Sequence, residues 1–143
     1  MELKIKVKEL NHDGLVNFFS TALYGNACFV GNYSDEAREK VVEENDCFED
    51  IMAKILLNGG VVEIIDMYSQ EGDQPYSDKA HWDDQIEHFI YTISLDDVLA
   101  GINKAAEDKY DKKHVTNFVL EDYDMVDADA LLQYVCFSEI VYG

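Results

Sequence analysis

The side chains with chemistry to offer are four histidines, three cysteines and thirty carboxylates. The densest mixed group is His81-Trp82-Asp83-Asp84 followed by Glu87 and His88, which has the donor types of a divalent-metal site. The two histidines lie seven residues apart and the aspartates are adjacent, a pattern that matches no established ligand spacing. The stretch therefore reads as a solvated loop entering a strand, and no metal is expected.

Nucleophilic catalysis needs Ser or Cys beside a base and an orienting group, an arrangement that spacing alone does not reveal. The chain carries no G-x-S-x-G, H-E-x-x-H, phosphate-loop or dinucleotide-binding pattern. Gly59-Gly60 precedes a predicted strand rather than a helix, so it is misplaced for cradling phosphate. Arg38 is the only arginine, which removes the usual clamp for anionic substrates. The expectation is a protein that is not an enzyme and needs no cofactor.

The carboxylates themselves remain. Eight fall in residues 35–50, eight in 63–87 and ten in 96–129, and Glu121 to Asp129 holds five acids with no base. The net charge is −19 at neutral pH. Such a field repels nucleic acid and anionic membrane and draws in basic surfaces over a Debye length of about 8–10 Å. Duplex DNA carries one charge per roughly 1.7 Å of axis, a density that carboxylates on a folded frame can approximate. Acidic surfaces also serve solubility alone, and two of these acids, Asp46 and Asp127, stand where helix N-caps are predicted. Tyr33, Tyr68, Tyr76, Tyr110 and Tyr123 are interspersed among the acids, a pairing that suits protein-binding surfaces.

A frame for these groups is affordable. Hydrophobic residues make up 48% of the 143, enough for a core in one domain spanning residues 1–143. No apolar run is long enough to span a membrane. Lys4 and Lys6 interrupt the apolar stretch that a signal peptide would need, so a cytoplasmic setting is expected. Cys28, Cys47 and Cys136 each adjoin a phenylalanine and read as buried, reduced thiols.

The elements follow from periodicity. Leu3 to Lys8 alternates apolar and basic, predicting a half-buried strand with a lysine stripe. Leu15, Phe18, Phe19, Ala22 and Leu23 predict a helix capped by Asn11 or Asp13 and stopped at Gly25. Ala27–Val30 reads as a brief strand and Ser34–Asn45 as a charged helix or loop. A helix capped by Asp46 buries Phe48, Ile51, Met52, Ile55 and Leu56 and ends at Asn58-Gly59-Gly60. Val61–Met67 is a central strand, Ser69–Asp84 a connection, and Ile86–Thr92 another strand. Ser94 with Asp97 forms a capping box for a helix through Leu95, Val98, Leu99 and Ile102. Two more helices follow, one through Val115, Phe118 and Val119, and one capped by Asp127 and running toward Ile140 and Val141. The sum is an α+β fold: a small antiparallel sheet with several helices packed over it.

Thr21-Ala22-Leu23-Tyr24-Gly25, Leu56 to Gly60 with Val61–Asp66 after it, and the C-terminal stretch from Asp127 through Leu131-Leu132-Gln133-Tyr134 to Glu139-Ile140-Val141-Tyr142-Gly143 carry a resemblance. They resemble a set of small acidic proteins encoded by phages, prophages and mobile elements of gut Firmicutes. Ser138 stands where those proteins usually have glycine. The resemblance implies a shared fold and the company of genes expressed against host defence, and it transfers no catalytic residue.

Charge and resemblance together point to an anti-defence protein that occupies the nucleic-acid-binding surface of a basic CRISPR effector or restriction enzyme. Its expected contacts are Asp35, Glu36, Glu39, Glu43 and Glu44, with Glu121, Asp122, Tyr123, Asp124, Asp127 and Asp129. Direct contact with nucleic acid or membrane is not expected. A sponge for a nucleotide second messenger, using a pocket near Lys4, Lys6 and Lys8, is the alternative from another class. A phage regulatory protein with a host partner and no mimicry is the third.

Overall fold

The computed structural model describes residues 4–24 and 28–143. The predicted stop at Gly25 and the residues Leu3 and Ala27 of two predicted strands lie outside them. In chain order the elements are α1 (His12–Tyr24), β1 (Phe29–Asn32), α2 (Asp35–Glu39), α3 (Phe48–Leu57), β2 (Val62–Asp66), β3 (Ala80–Asp83), β4 (His88–Ile93), α4 (Leu95–Glu107), α5 (Lys112–Val119) and α6 (Met125–Phe137).

Every strand pairing is antiparallel, in the spatial order β1-β2-β4-β3. Register places Phe29, Ile64, Tyr91 and Ile93 on one face and Val30, Ile65 and Ile90 on the other. The hydrophobic core collects the first set and none of the second. The helices thus cover one side of the sheet, as an α+β layering requires. Their stripes bury most of what the spacing predicts: Leu15, Phe18, Phe19 and Ala22 on α1; Ile51, Met52, Ile55 and Leu56 on α3; Leu131, Leu132, Val135 and Cys136 on α6. Predicted Leu23 and Phe48 are half-buried, and Val119 at the end of α5 is exposed.

Local chemistry fixes the helix ends. Asn11 Oδ1 accepts from Gly14 N–H at 2.8 Å, which makes Asn11 the partner of the open α1 terminus. The Ser94–Asp97 capping box is present as read, with reciprocal bonds of 2.9 and 3.2 Å. Two predicted caps are displaced, one by a single residue and the other by three. Cys47, not Asp46, caps α3, and Asp46 instead accepts Lys54 Nζ at 2.8 Å. Asp124, not Asp127, caps α6 and accepts Asp127 N–H at 3.0 Å.

The predicted N-terminal strand does not form. Residues 4–10 have no strand partner among the described residues, although Ile5 and Val7 are half-buried between exposed lysines as the alternation implies. One residue ties the segment down: Asn103 of α4 accepts Val7 N–H at 2.7 Å and donates to Val7 C=O at 2.8 Å. A side-chain amide here does the work of a neighbouring strand. Asn103→Ala should leave both Val7 groups without partners and loosen residues 4–10 by about 1–2 kcal/mol. Amide hydrogen exchange at Val7 is the check, and unchanged protection there would show that the amide clamp does not hold the segment.

A second departure is β3, inside what reads as one long connection. Only four residues long and carrying His81 and Asp83, it lies at the sheet edge, paired with β4 from Ala80↔Tyr91 to Asp83↔His88. The turn to β4 is built by Asp83 Oδ1, which accepts Gln85 and Ile86 N–H groups, with Glu87 in the left-handed region. The last helix also stops early: Ser138 takes a left-handed conformation at φ 66°, so Ile140 and Val141 lie beyond α6. The tail then folds back. Gln133 Oε1 accepts Val141 and Tyr142 N–H, both at 2.8 Å, and Tyr142 Oη donates to buried Asp66 of β2 at 2.8 Å. These bonds give the Gln133 and Glu139-to-Gly143 part of the sequence motif a structural role.

Candidate protein-binding surface

The sequence nominates two acidic stretches, and the fold treats them differently. In residues 35–44 several carboxylates already have cations. Arg38 meets Glu39 at 3.0 Å, Lys40 meets Glu36 at 3.7 Å, and Lys54 reaches Glu43 at 2.9 Å. Exposed pairs of this kind add little stability, but they offset the local negative field. Asp35 and Glu44 stay exposed without an ion pair among the described residues.

Around residues 119–126 the carboxylates are unopposed. The chain leaves α5 by a tight reversal in which Glu121 and Asp122 N–H groups bond Phe118 and Asn117 carbonyls at 3.1 and 3.0 Å. Glu121 takes φ 57°, a left-handed position that glycine or asparagine fills more cheaply. Glu121, Asp122 and Asp124 are exposed and in no ion pair among the described residues. Beside them Val119, Leu120, Met125 and Val126 are exposed at 51%, 69%, 51% and 62%. Single exposed apolar side chains are ordinary, whereas here four fall within eight consecutive residues joining α5 to α6.

The other nominated residues of this stretch turn inward. Tyr123 is half-buried against Phe118, with ring centroids 5.1 Å apart, and burial raises its phenol pKa. Asp127 is a correction to the expected contact set. It is buried between α5 and α6, accepting His114 Nδ1–H at 2.6 Å and Asn117 Nδ2–H at 3.2 Å. Burial pushes its carboxyl up, but the hydrogen bonds from His114, Asp124 N–H and Asn117 outweigh that and hold it below the ordinary range. Asp129 is likewise drawn in: its Oδ1 is enclosed without a hydrogen-bond partner, and burial raises its pKa.

Several groups with catalytic chemistry are hydrogen-bonded within the fold. Ser69, His88 and Asp66 come together, which their spacing did not show. Ser69 Oγ donates to the Asp66 carbonyl at 2.6 Å and accepts Phe89 N–H at 2.8 Å, while His88 Nδ1 meets the Ser69 carbonyl at 2.9 Å. The hydroxyl braces the sheet end with its proton and one of its two lone pairs, and His88 Nδ1 lies 3.5 Å from its oxygen. Asp66 takes Tyr142 Oη and Tyr68 N–H, and burial raises its pKa. Cys47 departs from the expectation of three buried thiols, since it is exposed while Cys28 and Cys136 are buried. Its Sγ–H donates to Asp50 at 3.0 Å and Glu49 at 3.3 Å, the Asp50 bond raising its pKa most, so it is held as a thiol. His12 Nε2 lies 3.2 Å from the same Asp50. Among the described residues no three His, Cys, Asp or Glu side chains are placed to hold a metal ion.

An open groove of about 1030 Å³ borders the acidic turn. Its walls are the 6–11 segment, the first turns of α1, and residues 118–123. Lys6 and Lys8 line it together with Glu9, Asp13 and Glu121, over an apolar floor that includes Phe118, Val119 and Tyr123. The sequence located Lys6 and Lys8 but not the groove, because its walls come from three separate parts of the chain. No helix among the described residues is long and apolar enough to cross a membrane. No family model, curated protein or solved structure matches this chain.

Proposed function

We propose that this chain is a binding protein that docks on a basic, nucleic-acid-handling protein of a host defence system, such as a CRISPR effector or restriction enzyme, and blocks its nucleic-acid surface. One observation carries the reading: Glu121, Asp122 and Asp124 are exposed, with no ion pair among the described residues, within the same stretch as four exposed apolar side chains. Apolar area rimmed by charge of one sign is the make-up of a protein interface, and here the sign selects a cationic partner. The net charge of −19 favours that encounter at long range and disfavours direct contact with nucleic acid. Residues 35–44 act as auxiliary field, since three of their five nominated carboxylates have cations of their own.

The test is capture of candidate effectors on the tagged protein, eluted by salt, with nucleic acid as competitor. Capture should weaken at least about tenfold from roughly 50 to 300 mM salt, and duplex DNA or guide RNA should displace the effector. The triple change Glu121→Gln, Asp122→Asn and Asp124→Asn keeps shape, and asparagine still caps α6. It should weaken capture by about 30-fold. Full capture by the triple variant would show that this turn is not the contact.

A nucleotide sponge is the second reading, favoured by Lys6, Lys8 and Tyr123 lining one groove. Glu9, Asp13 and Glu121 in the same walls oppose an anionic ligand. A nucleotide found bound to the purified protein would reverse that order.

A further inference from the structure

Resting on the proposal that the acidic turn binds a protein, we infer that the adjoining groove takes an extended segment of that partner as an added β-strand along Lys6–Glu9. Residues 4–8 alternate exposed and half-buried, as in an extended chain. In such a chain the N–H and C=O of one residue point to one side, and those of its neighbours to the other. Val7 spends both groups on Asn103. Lys6 and Lys8 therefore present theirs away from Asn103, and neither makes a main-chain hydrogen bond among the described residues. Asn103 does not line the groove, whereas Lys6, Lys8 and Glu9 do. Among the described residues this extended edge has no strand partner, and it lies beside a trough roomy enough for one.

Charge selects the occupant. Three carboxylates, Glu9, Asp13 and Glu121, outnumber the two lysines in the groove's lining, which also holds the apolar floor of Phe118, Val119 and Tyr123. A segment alternating basic and apolar residues would set its apolar side chains on that floor and its cations toward the three acids. Main-chain bonds would supply affinity and the alternate side chains selectivity.

A display library of random ten-residue peptides, panned against the full chain, supplies the probe. Enriched peptides should alternate lysine or arginine with apolar residues. On binding, the amides of Lys6 and Lys8 should gain hydrogen-exchange protection, while Val7, already bonded, should change little. Lys8→Pro removes an edge N–H and suits the extended residue before it, so it should weaken these peptides about tenfold, against less than about threefold for Lys8→Ala. The exchange readout on the unaltered chain decides the matter even if Lys8→Pro disturbs the segment. No enrichment, or enriched peptides that leave Lys6 and Lys8 exchanging freely, overturns strand addition; so does protection by a second copy of the chain alone or by a nucleotide alone. The two readings separate cleanly. Loss of effector capture on changing Asp122→Asn and Asp124→Asn alone, which leaves the groove's Glu121 in place, without peptide protection of Lys6 and Lys8 sinks strand addition and leaves the acidic contact standing. The reverse pattern does the opposite.

Discussion

Gly101→Ala is expected to lower stability by about 3 kcal/mol, although the same change at most helix-interior positions raises it by about 1 kcal/mol. Gly101 sits in the middle of α4, where α4 crosses α6. A Cβ built there would lie 2.5 Å from Val135 Cα and 2.6 Å from Val135 N. Those are backbone atoms of the neighbouring helix, so no side-chain rotation relieves the overlap. The helices must move apart, and Ile102, Ala105, Leu132 and Val135 lose their close packing. For a chain of this length the loss corresponds to a melting temperature lower by roughly 10 °C. Thermal unfolding followed by circular dichroism reads it directly. A melting temperature equal to or above that of the unaltered protein would show that the crossing is looser than the structure has it. Gly59 is a useful contrast: at φ 83° with nothing within 4 Å of its would-be Cβ, its constraint is backbone conformation rather than contact. Gly59→Asn should therefore cost under about 1 kcal/mol.

Asp127→Ala should cost a similar amount, about 3 kcal/mol, for an electrostatic reason. The carboxylate collects His114, Asn117 and the Asp124 N–H in a buried site between α5 and α6. Removing it leaves those donors facing apolar surroundings, the costly way to break a buried network. Asp127→Asn keeps the volume and one acceptor, and should cost about 1–2 kcal/mol. The pH dependence has a definite sign. The folded-state pKa of Asp127 is depressed, so its contribution is fully present above the unfolded value of about 3.9 and is lost as pH falls through the folded value. The stability gap between the unaltered protein and Asp127→Asn should therefore hold steady above about pH 5 and shrink below pH 4. Asp66 and Asp129, raised by burial, act in the opposite sense, which is why the difference between the two proteins is the quantity to measure. A gap that widens on acidification would mean that Asp127 is not held ionised in the fold. Denaturant unfolding at a series of pH values provides the comparison.

Much of the frame was legible because it rests on local rules. The stripes of α1, α3 and α6 bury most of the residues their spacing picks out, and Ser94 with Asp97 caps α4 by chemistry contained in four residues. The central place of β2 follows from its run of β-branched side chains, which need partners on both edges. Where the reading failed, a partner distant in sequence decided. Alternation in Leu3 to Lys8 specifies an extended chain and says nothing of who pairs with it; an amide 96 residues away does so instead of a strand. The short β3, with polar residues on an edge, carries too little signal to stand out from its loop.

The candidate surface divides the same way. Residue type and spacing by themselves determined that the protein is an acidic α+β fold and that Glu121 to Asp129 is its densest unopposed run of acid. Only the tertiary structure decided which members of that run face outward. Asp124 faces solvent because it is the extended N-cap residue ahead of α6, whereas Asp127 lies inside the first turn of the helix, where α5 supplies the buried imidazole. It also brought the 6–11 segment against residues 118–123 to make a groove, a juxtaposition set by packing on α1 and α4 and not by any local pattern. A carboxylate's neighbours along the chain fix its charge; whether that charge meets solvent or a buried partner depends on which distant element the core brings beside it.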